Sequence, residues 1–206
     1  MKSDVNNPCI ICRNHSSKKI FVTSYPDYDY PGDFVINQCT NCGLYFNSPR
    51  LSDVSIAQLY NKNYYFFHRR DEIEFKRMVA MYQHTIGIIP DHILPKTVLE
   101  IGSAKGYFLS VLKMLEWEVM GIEISKQASE FAKHKLNIPV FTGQLEEFAK
   151  NKNTQYPLVL AIDLLEHVTN PNKFVASLSS VTQSGGQVII STPNGNSANI
   201  QVLGEA

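Results

Sequence analysis

The sequence predicts an α/β fold in which helices cover both faces of a parallel sheet, preceded by a small cysteine-rich module. From Lys96 onward, five β-prone runs alternate with amphipathic segments. All four cysteines lie in the first 42 of the 206 residues. Because 44% of the residues are hydrophobic, the chain can bury a core, and wholesale disorder is excluded.

Charge and hydropathy narrow the function class. The 19 Lys and Arg residues balance the 19 Asp and Glu residues, so no global field attracts nucleic acid or an anionic membrane. No run approaches the roughly 18 apolar residues that a membrane span needs, and the N-terminal segment is polar where a signal peptide is apolar. We therefore expect a cytoplasmic protein with neither a membrane nor a nucleic-acid partner.

The cysteines form two C-x-x-C pairs, Cys9 with Cys12 and Cys39 with Cys42. Two such turns supply the tetrahedral set of sulfur ligands that zinc prefers. Gly43 suits the left-handed position after the second pair, whereas Arg13 suits the matching position less well. With β-prone runs at 20–23 and 34–38 between the pairs, the sequence predicts a zinc ribbon over residues 1–50 with a structural zinc ion. The alternatives are disulfides, a redox pair, or a ribbon that associates with nucleic acid.

Residues 51–95 are predicted to form a helical linker. Ser52 can cap a short helix that ends near Tyr60, and an aromatic stretch at 64–68 follows, which we expect to pack rather than bind a ligand. From Arg70, apolar residues recur at helical spacing and should pack on the following domain: Phe75, Met78, Val79, Tyr82 and Ile86.

The core domain is predicted to cover residues 96–206. Its strands are expected at 97–101, 119–124, 140–142, 156–162 and 187–192. Helices are expected at 107–115, 126–135 and 145–150, and a fourth should begin at Pro171 with Asn170 as its cap. We expect Gly185-Gly186 to form the turn before the last strand.

The loops after the strands carry the candidate site, since ligands of such sheets bind beyond the carboxyl ends of the strands. The small residues of the loop 102–106 allow a ligand to approach the backbone closely. Its spacing is neither the dinucleotide fingerprint nor the Walker A loop, which disfavours a nicotinamide-dependent oxidoreductase. Glu100 precedes the loop and can attract an ammonium or sulfonium group, and Glu123 ends the next strand, where it can accept ribose hydroxyls.

From about Thr97 to Asn194, these motifs resemble the class I S-adenosylmethionine-dependent methyltransferases. The resemblance implies a Rossmann-like core, S-adenosylmethionine as the cofactor and a small-molecule methyl acceptor. By the resemblance the cofactor contacts Glu100, Gly102, Ser103, Ala104, Gly106, Glu123, Ile124, Gln144, Leu145 and Asp163. Gln144 stands where many members carry Asp. The motif Leu165-Glu166-His167 also resembles this family, and we expect His167 to be the catalytic base, with Glu166 orienting it or contacting the acceptor.

The order of ribbon, tyrosine-rich linker and core resembles sugar C-methyltransferases of deoxysugar and surface-polysaccharide pathways, which implies a nucleotide-linked sugar as acceptor. The family fold continues with two further strands, so we expect a core truncated at its C-terminus. A degenerate cofactor-binding or scaffold protein is the alternative. The remaining histidines are expected in surface or structural positions: His15, His68, His84, His92 and His134.

Overall fold

The computed structural model describes residues 7–24, 33–48, 50, 71–150 and 155–197. The chain divides into two compact units. The first takes its described residues from 1–68, 169–171 and 193–206, and the second from 69–168 and 172–192. The predicted helix over 52–60 and the aromatic stretch 64–68 lie outside the described residues. No helix in the described ranges is both long and apolar enough to cross a bilayer.

The first unit contains an antiparallel three-stranded sheet. Its strands are β1 (Ser17–Ser24), β2 (Asp33–Cys39) and β3 (Tyr45–Asn47), in the order β1-β2-β3. The two predicted β-prone runs lie inside β1 and β2. The three-residue strand β3 was not predicted, because so short a segment shows no period in the sequence.

The second unit alternates strands and helices as predicted. The helices are α1 (Asp71–Gly87), α2 (Tyr107–Met114), α3 (Lys126–Lys135), α4 (Leu145–Phe148) and α5 (Pro171–Val181). The strands are β4 (Thr97–Ile101), β5 (Glu118–Glu123), β6 (Val140–Thr142), β7 (Tyr156–Ile162) and β8 (Thr182–Ser191).

The five strands form one parallel sheet in the order β6-β5-β4-β7-β8. The chain moves outward from β4 to β6 in one direction and from β7 to β8 in the other. The strand order therefore reverses between β4 and β7, where open α/β sheets bind their ligands. The parallel, Rossmann-like sheet expected from the sequence is confirmed.

The central strands are buried on both faces, as parallel sheets require. Val98 of β4 packs with Leu158 of β7 in the cluster that includes α2 and α3. Leu99 and Val159, one position further along the same strands, pack on the opposite face with α5. Helix α1 joins the first cluster through Tyr82, whose ring stacks on Phe108 at 4.5 Å between centroids. This confirms the predicted packing of its apolar face.

The last strand differs from the prediction. β8 begins directly after α5, whereas the sequence predicted a turn at Gly185-Gly186 and a strand over 187–192. The pairing of β8 with β7 shifts register, so the two glycines lie in a bulge inside the strand. Gly185 has a φ of 78°. Some bulges and some turns both place a glycine in this left-handed region, which is why the sequence pattern alone did not separate them.

Candidate cofactor site and metal centre

The predicted site residues meet at one edge of the sheet. Because all five strands are parallel, their carboxyl ends lie together. This edge carries the loop 102–106 after β4, the residues after β5 and β6, and the 3₁₀ turn Leu165–His167 after β7. The structure thus brings the predicted cofactor and catalytic residues to a single edge.

The loop after β4 is a tight turn with three residues at positive φ: Gly102 at 73°, Ala104 at 47° and Gly106 at 75°. The backbone N–H groups of Gly102 and Ser103 both donate to the carbonyl oxygen of Ile122, at 2.8 and 3.0 Å. A Cβ at Gly106 would lie 3.0 Å from the Cβ of Ala132 in α3. The glycines are therefore required by the backbone conformation and by close packing.

Glu123 joins the loops after β4 and β5. Its Oε2 accepts the backbone N–H of Ala104 at 2.8 Å, and its Oε1 accepts that of Ser125 at 2.7 Å. Burial raises the pKa of this carboxyl group, and the backbone donors partly oppose the shift. Each oxygen retains a second lone pair, so the carboxylate can still accept hydroxyl groups of a ligand.

Glu100 is a buried acid at the carboxyl end of β4, with 4% of its surface exposed. Burial, with a smaller contribution from the charge of Glu123, raises its pKa to about 8. Its Oε2 has no hydrogen-bond partner among the described residues, and neither has the Oγ of Ser103. Buried polar atoms are rarely left without partners, so these two atoms indicate a position that a polar ligand completes.

The residues after β5 and β6 differ in exposure. The side chain of Ile124 is 57% exposed directly after Glu123, so it offers an apolar surface at the edge. Gln144 is exposed at the first turn of α4, and its side chain makes no capping hydrogen bond. Leu145 is buried in the core with Leu99 and Ile122. The role of Leu145 in the cofactor site stays a prediction.

The loop after β7 holds three polar residues that are all exposed: Asp163, Glu166 and His167. The Oδ1 of Asp163 accepts the hydroxyl of Ser191 at the end of β8. The Oε2 of Glu166 accepts the hydroxyl of Thr192 at 3.2 Å. The N–H of His167 donates to the carbonyl oxygen of Leu164 at 2.9 Å, which fixes its backbone in the turn. The two acids are thus oriented by adjacent hydroxyl side chains.

Sequence reasoning missed three residues that shape the site, namely Gly121, Leu164 and Lys105. A Cβ at Gly121 in β5 would lie 2.5 Å from the Oγ of Ser103, and one at Gly102 would lie 2.9 Å from the side chain of Leu164. Lys105 is buried, with its ammonium 5.1 Å from the centre of the Phe131 ring. These contacts join different elements, so no local pattern could reveal them.

The four cysteines converge in the first unit. Their sulfur atoms all lie within 4.8 Å of one another, and the Cys9–Cys42 and Cys12–Cys39 pairs are 3.5 Å apart. Tetrahedral zinc with Zn–S bonds of about 2.3 Å places sulfurs about 3.8 Å apart, so the cluster fits that ion. A hydrogen bond from Asn41 is the main cause that lowers the pKa of Cys12 to about 6.

The two cysteine turns have the same backbone geometry. The N–H of Arg13 donates to the carbonyl oxygen of Cys9 at 2.9 Å, and that of Gly43 to Cys39 at 3.0 Å. Arg13 adopts a left-handed φ of 61°, close to the 75° of Gly43. Arg13 therefore adopts the same backbone as Gly43, at a cost in strain that glycine avoids, as its poorer suitability for this position predicts.

The other histidines were predicted in surface or structural positions. His15 and His134 are exposed, and a ring nitrogen of His92 lies 3.1 Å from the side-chain nitrogen of Gln187. His68 and the side chain of His84 lie outside the described residues. A cavity of about 420 Å³ between α5 and β8 is lined by none of the predicted site residues.

Comparison with known proteins gives a consistent result. A family model described as a methyltransferase domain matches residues 51–205. The chain is similar to the ubiquinone biosynthesis O-methyltransferase of Proteus mirabilis, at 29% identity over 111 residues, or 52% of this chain and 45% of that protein. The corresponding protein of Paraburkholderia phytofirmans is 33% identical over 110 residues, or 51% and 47%. The chain spans about half the length of these curated relatives.

Among solved structures, the chain is similar to a SAM dependent methyltransferase from Archaeoglobus fulgidus. The TM-score is 0.55 at 20% identity, and the match covers 67% of this chain and 62% of that one. At this identity the likeness shows the fold. Since the family model covers more than half of the chain, the chain belongs to the methyltransferase domain family, with the core of a class I S-adenosylmethionine-dependent methyltransferase.

Proposed function

We propose that the carboxyl edge of the sheet binds S-adenosylmethionine and that the chain transfers its methyl group to a small-molecule acceptor. The observation that carries this proposal is the buried, unpartnered Oε2 of Glu100 beside a loop of three left-handed residues. A carboxylate at this position attracts a cationic amino acid group and repels a pyrophosphate. Membership of the methyltransferase domain family supports the same assignment.

The remaining predicted residues take roles along the edge. Glu123 accepts the ribose hydroxyls through its free lone pairs, and the exposed side chain of Ile124 packs on the adenine face. The side chain of Gln144 and the backbone of Leu145 contact the adenine edge. The loop 102–106 encloses the amino acid part of the cofactor, and Asp163 lies at the side where the methyl group is transferred.

S-adenosylmethionine supplies an electrophilic methyl group, so the protein has to place the acceptor in line with it and remove a proton. His167 is the proposed base, because histidine accepts a proton near neutral pH. Glu166, held by the hydroxyl of Thr192, orients either His167 or the acceptor. Both residues are exposed at the edge, where an acceptor can reach them.

We propose a structural zinc ion bound by Cys9, Cys12, Cys39 and Cys42 over residues 1–50, a helical linker over 51–95 and the methyltransferase core over 96–206. Four sulfur ligands leave no open coordination position, so the ion supports folding rather than catalysis. The sulfur cluster supports this proposal, because all four atoms lie within 4.8 Å of one another.

The acceptor that we propose is a nucleotide-linked sugar, on the resemblance of the ribbon, linker and core to sugar C-methyltransferases. The curated relatives carry the name of ubiquinone biosynthesis O-methyltransferases, so a phenolic hydroxyl is the competing acceptor. The test is the formation of S-adenosylhomocysteine by the zinc-loaded chain with a panel of nucleotide-linked keto-sugars and a panel of catechols. Turnover with catechols alone would overturn the sugar assignment, and turnover with neither would favour a binding-only or scaffold role.

A further inference from the structure

The last residue of β6 is held to helix α3 by side-chain hydrogen bonds. The hydroxyl groups of Thr142 and Ser129 share a hydrogen bond at 2.6 Å. The ammonium group of Lys133, one turn further along α3, donates to the Thr142 hydroxyl at 2.9 Å. Ser129 is fully buried, whereas the contact with Lys133 is exposed to solvent. Because water competes for the exposed contact, the bond to Ser129 is the stronger of the two.

The same residues are connected to Glu123, the acid at the end of β5. Thr142 pairs with Glu123 in the register of β5 and β6, and the next residue, Gly143, donates its N–H to the carbonyl oxygen of Glu123 at 3.0 Å. Helix α3 starts from the same acid, because the N–H of its cap residue Ser125 donates to the Oε1 of Glu123 at 2.7 Å. The contacts therefore form a closed ring that runs from Glu123 through α3 to Thr142 and back to Glu123.

The ring sets the position of the backbone after β6. A Cβ at Gly143 would lie 2.6 Å from a ring carbon of Phe141 and 2.8 Å from the Oε2 of Glu147, so this backbone is closely packed on its other side. Gln144 follows directly, and its exposed side chain makes no capping hydrogen bond with α4. A displacement of Thr142 therefore moves Gly143 and Gln144 relative to Glu123.

We propose that Thr142 is a positioning residue for the adenosine part of the cofactor. Through its bond to Ser129, it keeps the backbone of Gly143 and Gln144 in place beside Glu123. This inference rests on the proposed function, which assigns the ribose to Glu123 and the adenine to Gln144. Adenosine does not react, so its contacts are the same in the ground state and the transition state, and the position of Thr142 determines affinity rather than the rate of methyl transfer.

The first test removes the hydroxyl group from β6. Thr142→Val keeps the branched shape that suits a strand, but it leaves Ser129 without its partner. We expect calorimetric titration to show about fivefold weaker binding of S-adenosylmethionine. Methylthioadenosine, which carries the adenosine part without the amino acid, should lose affinity by the same factor, measured by its competition with S-adenosylmethionine. Thr142→Ser retains the hydroxyl and should restore binding to within about twofold of wild type.

The second test acts from α3. Ser129→Ala removes the other partner of the bond, and alanine is the better helix former, so the helix should not be weakened. We expect the same loss of affinity as in Thr142→Val, without a lower melting temperature. Lys133→Met should change affinity by no more than about twofold, because its contact is exposed. Ser180→Ala is the matched control, since the Ser180 hydroxyl donates to the carbonyl oxygen of Ser177 within α5.

Hydrogen–deuterium exchange of the ligand-free chain tests the geometry independently of the cofactor. The amide of Gly143 should exchange severalfold faster in Thr142→Val and in Ser129→Ala, and at the wild-type rate in Ser180→Ala. Unchanged exchange at Gly143 in both variants would show that Thr142 does not hold this backbone, and would overturn the inference.

The binding data can also overturn it. If the wild-type chain binds S-adenosylmethionine and both Thr142→Val and Ser129→Ala bind it equally well, Thr142 positions nothing that the cofactor uses. A loss for S-adenosylmethionine with unchanged binding of methylthioadenosine would place the effect at the amino acid end and contradict the adenosine assignment. A wild-type chain that binds no S-adenosylmethionine would instead refute the proposed function, and the cofactor role of Thr142 with it, whereas the exchange data would still report whether Thr142 holds Gly143.

Discussion

Glu100 combines a binding role with a cost in stability. Its carboxyl group is buried, its Oε2 has no partner among the described residues, and its pKa is raised to about 8 by burial. Below that pH the ligand-free protein holds the proton, because the neutral form is easier to bury. A cationic ligand favours the carboxylate, so binding has to release the proton.

The first prediction is a pH dependence of S-adenosylmethionine affinity. Affinity should rise from about pH 6 towards pH 8, by up to about tenfold per pH unit, with release of close to one proton per binding event near pH 7. Calorimetric titration in buffers of different ionisation enthalpy measures both quantities. Glu100→Gln should weaken binding and remove the pH dependence.

The Glu100→Gln variant also tests how Glu100 affects the stability of the ligand-free protein. The pKa of Glu100 is raised in the folded state, so its contribution to stability is present below its unfolded value, about 4.5, and is lost as pH rises towards about 8. Glu100→Gln should therefore increase the melting temperature of the ligand-free protein at pH 8 more than at pH 5. An affinity that is flat with pH, together with an unchanged melting temperature, would contradict the role of Glu100.

The second prediction concerns the base. His167→Asn should lower turnover with the acceptor by about 100-fold or more, while S-adenosylmethionine affinity stays within about twofold. His134→Asn is the control, because His134 is an exposed histidine on α3. Near-normal turnover of His167→Asn would leave placement of the acceptor as the main source of catalysis.

At the scale of elements, the glycine of β5 connects strand packing to the cofactor loop. Gly121 leaves room for the Ser103 side chain, since a Cβ at this position would lie 2.5 Å from its Oγ and 3.0 Å from Leu109. Because β5 is a buried strand of the sheet, the loop has to move if this space is filled.

The third prediction follows from this contact. Gly121→Ala should lower the free energy of unfolding by about 1–3 kcal/mol and weaken S-adenosylmethionine binding, because the added methyl group displaces the loop 102–106. Urea denaturation and calorimetry measure the two effects. Gly87→Ala, which adds the same group in open space, should change neither. Weakened stability with unchanged binding would show that the loop tolerates the displacement.

The elements also show what the sequence could predict. β7 and α3 were predicted with their observed bounds, because one is a continuous apolar run and the other is an amphipathic segment. Glu100 and Glu123 were found because acids that end parallel strands share an edge. The bond between Thr192 and Glu166 could not be predicted, since it joins residues 26 positions apart on different elements.

At the scale of the whole molecule, the two units are stabilised in different ways. The second unit has a two-sided apolar core of its own. Among the described residues of the ribbon, few apolar side chains are buried, namely Phe34 in β2 and the cysteines Cys9 and Cys39. A small module of this kind gains much of its stability from a bound metal ion.

The fourth prediction is one zinc ion per chain, bound by the four cysteines. Metal analysis should give a ratio near one, and X-ray absorption should give four sulfur ligands at about 2.3 Å. Cys39→Ser should lose the metal and unfold the ribbon. The second unit contains no cysteine and should stay folded, so the variant should keep the helical circular dichroism signal of that unit. Two disulfides in a non-reducing mass measurement would contradict this assignment.

The most direct test is calorimetric titration of the zinc-loaded chain with S-adenosylmethionine and, separately, with NAD. We expect binding of S-adenosylmethionine alone, weakened by about 1–3 kcal/mol in Glu123→Ala, which loses a charge-assisted acceptor for the ribose. Glu118→Ala, at the opposite end of β5, should bind as the wild type does. Binding of NAD in preference to S-adenosylmethionine, or equal affinities in the two variants, would contradict a cofactor site at the carboxyl edge of this sheet.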